Sequence, residues 1–97
     1  DSLLVNLSAP LAKEGRGSIK FDGTWELIDQ FIVSRGLMNG DTPVMIKGGQ
    51  TIYSAPFMLE DDLDNGGQKP RRTFKGYRYN GGYSDHLPVF IELLRTL

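Results

Sequence analysis

The segment from Ser18 to Ser34 constrains the fold of this chain more than any other. It reads SIKF, then Asp22-Gly23, then TWELIDQFIVS, so two runs rich in β-branched and aromatic residues flank a two-residue turn sequence. Asp-Gly is favoured in tight hairpin turns because both positions need positive φ. The pattern predicts an antiparallel hairpin in a fold where strands predominate over helices.

Side chains alternate along the second predicted strand. Period-two alternation puts Trp25, Leu27, Asp29, Phe31 and Val33 on one face. Asp29 is the only charged residue on this otherwise apolar face. Because burying an isolated carboxylate is costly, Asp29 is expected to have a partner or to be protonated, and its natural partner is a histidine.

His86 is the only histidine in the chain and follows the flexible segment Gly81-Gly82-Tyr83-Ser84. A loop just before a strand can present the ring at a sheet edge. A carboxylate bonded to an imidazole fixes its tautomer and raises its basicity, as general acid–base sites require. The sequence therefore predicts an Asp29–His86 pair, with Asp85 able to hold a hard cation or its water. The alternative for Asp85-His86 is a turn that caps a backbone amide.

Basic residues are concentrated in KPRRTFKGYR, residues 69 to 78, where five cations are interleaved with two aromatic rings. Guanidinium groups bind phosphate bidentately and aromatic rings stack on bases, so this segment is suited to a phosphate ester. The candidate phosphate- and substrate-binding residues are Arg71, Arg72, Arg78 and Tyr83. A solvated loop, balanced by the acids just upstream, is the alternative interpretation.

Composition excludes several classes of protein. Eleven Lys and Arg against twelve Asp and Glu give a net charge of −1, so the chain lacks the basic excess of a dedicated nucleic-acid binder. The absence of cysteine excludes disulfides, thiolate metal sites and a Cys nucleophile. No apolar stretch approaches the roughly 20 residues that span a bilayer. The cellular location stays open.

The remaining segments give weaker signals. Residues 2 to 12, interrupted by Pro10, predict a helical turn or a packed loop. Residues 36 to 41 predict a turn-rich break, and VMIK predicts a short strand that ends at Gly48-Gly49. The stretch SAPFMLEDD fits one turn of helix or an extended loop.

Two further predictions concern the second half of the chain. Residues 64 to 82 predict a long surface loop with one short strand at RTF. The run LPVFIELL predicts a buried strand with Pro88 at its first position, because proline cannot donate to a strand ladder.

Two motifs resemble the endonuclease/exonuclease/phosphatase superfamily, the metal-dependent hydrolases that include apurinic endonucleases and sphingomyelinases. Ser84-Asp85-His86-Leu87-Pro88-Val89 is similar to the closing SDHxPV signature, and residues 27 to 34 are similar to the IDxIxVS strand that precedes it. The resemblance implies that His86 contacts the scissile phosphate or transfers a proton, that Asp29 orients His86, and that Asp85 lies at the metal and water site. It thus implies a Mg²⁺-dependent (or Mn²⁺-dependent) phosphoric-ester hydrolase, of phosphodiesterase, nuclease or phosphatase type.

The resemblance covers only part of the superfamily's pattern. The early Asn and Glu and the GDxN motif are not found here, since Asn39-Gly40-Asp41 follows Asp29 rather than preceding it. By resemblance, residues 1 to 97 are the C-terminal part of the domain, without its N-terminal part. The expected fold is α/β (α+β), a mostly β portion of a four-layer α/β sandwich. These residues alone are not expected to bind Mg²⁺ or to be active.

Such a piece is expected to expose strand edges and an uncovered apolar face, a recognised route to pairing with another chain. The expected partners are a phosphate-ester substrate and either the missing N-terminal part of the domain or a second copy by strand swapping. The substrate could be a nucleic acid, a lipid head group or a sugar phosphate. The alternative function is a non-catalytic module that binds an anionic ligand or a protein through residues 69 to 78.

Overall fold

The computed structural model describes residues 3–41 and 43–95; Asp1, Ser2, Thr42, Thr96 and Leu97 lie outside the described part. The described elements are β1 Leu4–Asn6, α1 Ala9–Lys13, β2 Ile19–Phe21, β3 Thr24–Glu26, β4 Ile32–Ser34, α2 Arg35–Asn39, β5 Val44–Ile52, a 3-10 turn Pro56–Met58, β6 Leu59–Asp61, β7 Gln68–Pro70, β8 Phe74–Lys75, β9 Arg78–Tyr79 and β10 Val89–Arg95. All strand pairs are antiparallel: β1 with β4, β2 with β3, β5 with β10, β6 with β7, and β8 with β9. The predicted mostly-β α/β composition is confirmed.

The first predicted hairpin is present and closes where the sequence indicates. Phe21 lies opposite Thr24, and both turn residues have positive φ, 48° at Asp22 and 81° at Gly23. These angles match the turn type that the twist of two paired strands favours. The Ser18 N–H donates to the Glu26 carbonyl at 3.0 Å, which extends the pairing beyond β2 itself.

The second strand of that hairpin ends at Glu26, so the predicted continuous strand to Ser34 is wrong. Ile32–Ser34 form a separate strand, β4, which pairs with β1 near the start of the chain. Between the two strands the main chain bonds to side chains instead of a neighbouring strand, as when Gln30 Nε2 donates to the Leu27 carbonyl at 2.9 Å. The interruption places Asp29 in an irregular segment.

The predicted alternation of side chains survives this interruption. The five residues assigned to one face, Trp25, Leu27, Asp29, Phe31 and Val33, are buried or half-buried, whereas the residues between them are exposed. The side chains of this segment therefore still alternate between a buried and an exposed face, although strand pairing is not continuous along it.

Residues 36 to 41 are not a simple break, because most of them belong to helix α2. Ser34 is its N-cap and its Oγ accepts a hydrogen bond from the Leu37 N–H at 3.3 Å, while Gly40 ends the helix with a φ of 77°. A serine before and a glycine after a helical turn are ordinary capping signals. Both capping residues can be read from the sequence, so helix α2 could have been predicted.

Three other predictions are corrected by the strands. β5 continues through Gly48-Gly49 to Ile52 instead of ending at the glycines. Residues 64 to 82 contain β7, β8 and β9 rather than one short strand at RTF. At the start of the chain, β1 precedes the helical turn α1, in which Pro10 stands at a position where its missing N–H costs nothing. The stretch SAPFMLEDD, for which one turn of helix or an extended loop was expected, contains a 3-10 turn followed by strand β6.

β10 was predicted to be buried, and it is not. Phe90, Leu93 and Leu94 are exposed, because β5 is its only paired strand among the described residues and nothing in residues 3–41 and 43–95 covers these side chains. Exposed apolar side chains along a two-stranded ribbon are a surface that other chain segments can cover.

The core is small and lies directly behind the Asp29–His86 region. Leu27, Ile52 and Leu87 form it, and Leu11, Trp25, Met58, Leu59 and Val89 pack against it. The radius of gyration is 16.3 Å and the dimensions are 49 × 25 × 20 Å, whereas a compact domain of about 100 residues has a radius near 13 Å. The molecule is therefore elongated around a small core. In the described part of the chain, no helix is long and apolar enough to cross a membrane.

Candidate active site

The centre of the site is a contact between Asp29 and His86, which are 57 residues apart in sequence. His86 Nδ1 lies 2.7 Å from Asp29 Oδ2. The two side chains are 38% and 35% exposed, so the pair is open to solvent and to a ligand. Ser18 Oγ donates to the same carboxylate oxygen at 2.6 Å, from a residue that is itself completely buried. The Asp29 carboxylate is thus held from two directions.

These contacts shift the pKa of both partners. Partial burial opposes ionisation of Asp29, but hydrogen bonds from Ser18 and His86 outweigh it and lower the pKa of Asp29 below its usual 3.8. The hydrogen bond to Asp29 raises the pKa of His86 above 6.5, against the opposing effect of desolvation, and the charges of Asp29 and Asp85 add to the rise. Both shifts therefore favour the charged forms, a carboxylate beside an imidazolium.

The main chain around His86 is fixed by three different parts of the molecule. The His86 N–H donates to Ser84 Oγ at 3.0 Å, which makes the local capped turn that the sequence also allowed. The Leu87 N–H donates to the Ser18 carbonyl at 2.6 Å, and the Leu87 side chain is buried in the core. The capped turn and the Asp29–His86 pair are therefore not alternatives, since both exist at the same residue.

Asp85 lies on the Nε2 side of the His86 ring. Its Oδ1 is 3.9 Å from Nε2, too far for a hydrogen bond, and its side chain is 49% exposed. Asp85 lines a cleft of about 310 Å³ whose other lining residues are Arg72, Thr73, Phe74, Tyr83 and Ser84. The Tyr83 ring makes an edge-to-face contact with Phe57 at a centroid distance of 5.3 Å.

The cations of residues 69 to 78 separate into two groups. Lys69, Arg72 and Lys75 line a second cleft of about 440 Å³ that also includes Asp85. Arg71 instead donates from Nη2 to the Asn80 carbonyl at 3.1 Å, and Arg78 lies exposed on β9, opposite Lys75. Arg72 and Tyr83 thus line clefts that include Asp85, whereas Arg71 and Arg78 line neither of these two clefts.

The resemblance implies a Mg²⁺ or Mn²⁺ ion, and the described side chains fit only part of such a site. Mg²⁺ is usually bound through one or two carboxylates together with water and substrate oxygens. Asp85 offers one exposed carboxylate, but Asp29 is already engaged by Ser18 and His86. Within residues 3–41 and 43–95, no group of three or more His, Cys, Asp or Glu side chains could hold a metal ion.

Comparison with known proteins identifies the family. A model of the endonuclease/exonuclease/phosphatase family matches residues 2–95, nearly the whole chain. The chain belongs to this family. Members of the family are phosphoester hydrolases in general. Neither the curated proteins nor the solved structures gave a match.

Sequence reasoning missed several residues that build the site. Ser18 gave a weak signal, a polar residue at the start of a hairpin strand, and Lys69 and Lys75 were hidden among the other cations of their segment. Gln50 gave none: its side chain bonds to the main chain on both sides of Gln30, at Asp29 and Phe31. Such a contact depends on how β5 passes the irregular segment, which no local pattern encodes.

Proposed function

We propose that this chain supplies the phosphate-binding and proton-transfer groups of a Mg²⁺-dependent or Mn²⁺-dependent phosphoester hydrolase. The observation that carries the proposal is the His86 ring, whose Nδ1 is held by Asp29 while its Nε2 lies on the side of Asp85. Family membership supports the reaction class, and this geometry supports the assignment of roles.

His86 acts through Nε2. In the neutral ring, Nδ1–H donates to Asp29, so Nε2 carries the lone pair and can accept a proton from water as the water oxygen attacks phosphorus. The phosphorus–oxygen bond to the alcohol then breaks, the alcohol oxygen takes a proton from solvent, and Nε2 returns its proton to solvent. In the charged ring, which the raised pKa favours, Nε2–H donates to a phosphate oxygen instead.

Asp29 and Ser18 keep the ring in a productive orientation. The Asp29 carboxylate stabilises the imidazolium that forms when Nε2 gains a proton, and Ser18 Oγ limits the carboxylate to one position. Because the ring and the carboxylate are both anchored next to the core, the reacting nitrogen is held by rigid neighbours.

We assign Asp85 as one ligand of the metal ion. The other ligands would be water, substrate oxygens and groups outside the described residues. When bound, Mg²⁺ or Mn²⁺ supplies positive charge at the phosphate oxygens. The described residues alone do not complete this site.

Substrate contacts are assigned to the cations and the aromatic ring beside Asp85. Arg72 lines both clefts next to this carboxylate and Tyr83 lines one of them, while Arg71 and Arg78 are positioned to act only on more distant parts of a substrate. Arg72 supplies positive charge for a phosphate ester at these clefts, which Asp85 and, in the larger cleft, further acids also line.

A partner that covers the β5–β10 ribbon is also part of the proposal. The elongated shape and the exposed Phe90, Leu93 and Leu94 support a partner segment, either from the N-terminal part of the domain or from a second copy with swapped strands. The same segment would bring the metal ligands that the described residues do not supply.

The test is hydrolysis of bis(4-nitrophenyl) phosphate with Mg²⁺, by the 97-residue chain and by any longer polypeptide that contains it. In the form that turns over, His86→Gln is expected to lower kcat by about 10²- to 10⁴-fold, because the proton-transfer group is removed. Lys13→Ala, at an exposed position of α1, is the control and should keep full activity. Unchanged turnover in His86→Gln would refute the assignment.

The alternative function, a non-catalytic module for anionic ligands, has one observation in its favour. Lys69, Arg72 and Lys75 line a common cleft, which they share with acidic residues, and their cationic groups are of the kind that binds phosphate. Binding of inorganic phosphate that survives His86→Gln, together with no turnover in any form of the protein, would support this alternative over the hydrolase.

A further inference from the structure

Gln50 holds the main chain on both sides of Gln30. Its Nε2 donates to the Asp29 carbonyl and its Oε1 accepts from the Phe31 N–H, each at 2.9 Å. The residue is only 5% exposed, so both bonds form away from water. This side-chain amide satisfies two main-chain groups that a neighbouring strand would otherwise satisfy, in the segment where the strand is interrupted.

A bulge in β5 gives Gln50 this position. Phe90 lies opposite Thr51 and Glu92 lies opposite Lys47, so three residues of β5 occupy the space opposite Ile91 alone. Gln50 is the last of these three, after Gly48 with a φ of +74° and Gly49. Bulges bend a strand and redirect a side chain, and they are over-represented next to active sites. Here the bulge takes Gln50 out of the ladder with β10, and its amide reaches Asp29 and Phe31.

The same strand fixes the chain that follows His86. Ile52 lies opposite Val89, and the Tyr53 N–H donates to the Pro88 carbonyl at 2.8 Å. Ile52 also belongs to the core cluster that contains Leu87. Within four consecutive residues, β5 and its end therefore bond to the segment of Asp29 and to the segment that follows His86.

We propose that Gln50 is a positioning residue for the Asp29–His86 pair. Its two hydrogen bonds set the main chain at Asp29, so that the carboxylate meets His86 Nδ1 and selects the ring tautomer with a free Nε2. The effect on turnover rests on the proposed function, whereas the effect on the tautomer does not.

The test variant is Gln50→Met, which keeps the length of the side chain and removes both hydrogen bonds. Ile46→Val is the matched control, because Ile46 is buried in the same strand and the change perturbs packing alone. Gln68→Met, on the exposed position of β7, controls for the change of residue type.

The first measurement is the tautomer of the neutral His86 ring by ¹⁵N NMR, which the single histidine makes unambiguous. The wild-type ring is expected to be protonated at Nδ1, because Asp29 accepts from that atom. In Gln50→Met the population is expected to move toward the Nε2–H form that free histidine prefers. Both controls should keep the wild-type tautomer.

The second measurement is turnover of bis(4-nitrophenyl) phosphate in the form of the protein that shows it. Gln50→Met is expected to lower kcat by up to about 100-fold with little change in KM, because misplacement of a reacting group acts on the chemical step. An absence of turnover in every wild-type form, including longer polypeptides that contain the chain, would defeat the proposed function, and the tautomer would still decide the role of Gln50.

Two outcomes overturn the proposal. One is a folded Gln50→Met variant with the wild-type tautomer; the other is an equal tautomer change in Ile46→Val, which would show a general effect of destabilisation. Should Gln50→Met fail to fold, Gln50→Glu decides. That variant keeps an acceptor for the Phe31 N–H but sets an oxygen against the Asp29 carbonyl, so an unchanged tautomer there also overturns the proposal.

Discussion

Two ionic contacts lie at or next to the first hairpin, Lys20–Asp62 and Asp29–His86. They differ in how much of their hydrogen-bonding capacity is used. Lys20 Nζ lies 3.0 Å from Asp62 Oδ2 and also donates to the carbonyls of Gly66 and Gln68, and the two charged side chains are only 6% and 3% exposed. All three ammonium protons therefore have acceptors. Lys20 has no capacity left for a ligand, and its contacts tie the hairpin to the 62–68 segment.

The Asp29–His86 pair is the opposite case. It is more than one-third exposed, and His86 Nε2 lies 3.9 Å from Asp85 Oδ1, too far for a hydrogen bond. One side of the ring is fixed and the other is available. Charge pairing alone therefore does not distinguish a candidate ligand-binding group; the hydrogen-bonding capacity that the pair leaves unused is what distinguishes it.

Removal of Lys20 is the strongest test of this comparison. Lys20→Met leaves the buried Asp62 carboxylate and two carbonyls without their donor, a loss comparable with the entire stability of a small domain. We expect the cooperative thermal transition, followed by circular dichroism, to be lost or moved to a much lower Tm.

Two controls accompany the Lys20 variant. Lys75→Met breaks the exposed pair with Glu60 and should change stability by no more than about 1 kcal/mol. Adding Asp62→Leu to Lys20→Met should recover part of the lost Tm, because the unpaired carboxylate is then gone. A Lys20→Met variant as stable as Lys75→Met would contradict the structural role of Lys20.

The dependence of stability on pH separates the two contacts further. The raised pKa of His86 means that its pairing stabilises the fold fully below pH 6.5 and is lost as the pH rises through the folded-state pKa. The lowered pKa of Asp29 means that its contribution is present above 3.8 and is lost as the pH falls. A double-mutant cycle of Asp29→Asn and His86→Gln should therefore show coupling, below about 1 kcal/mol for so exposed a pair, that peaks at mildly acidic pH.

Asp62 gives the contrasting profile. The hydrogen bond from Lys20 lowers the pKa of Asp62, so that its contribution is lost only as the pH falls. Denaturant unfolding at several pH values measures both effects. Coupling between Asp29 and His86 that stayed constant from mildly acidic to alkaline pH would show that the pair is not ionic.

The smallest expected effect concerns the two neighbouring arginines. Arg72→Ala should raise KM for bis(4-nitrophenyl) phosphate about two- to fivefold, because Arg72 lines both clefts at Asp85 and is exposed. Arg71→Ala is the matched control, since the Arg71 guanidinium bonds to the Asn80 carbonyl. Equal effects of the two changes would mean that the substrate contacts the whole basic segment rather than the Asp85 cleft.

The sequence predicted those features that depend on local chemistry. The Asp22-Gly23 turn, the two-sided pattern around Asp29 and the contact of Asp29 with the single histidine are all present. The contact was predictable because Asp29 is the one charged residue on an otherwise apolar face and the chain offers one histidine. The catalytic roles inferred from it stay predictions.

The features that were missed depend on pairing between distant segments. β4 pairs with β1 instead of extending the hairpin. Lys20 donates to carbonyls that are 46 and 48 residues away, and the bulge in β5 directs Gln50 toward Asp29. In each case the local pattern fits more than one partner, and the choice is made by packing of the whole chain. Neither the contacts of Lys20 nor those of Gln50 could be predicted from the sequence.

The separation of 57 residues between Asp29 and His86 also orders the events of folding. The hairpin around Asp22-Gly23 closes a loop of two residues and can form in microseconds, whereas distant contacts must first bring together the ends of a long loop. We therefore expect the hairpin that begins after Ser18 to form early and the contact with His86 to form late. A partly folded chain would then hold the carboxylate without the imidazole, and the site would be completed only when the segment of His86 docks.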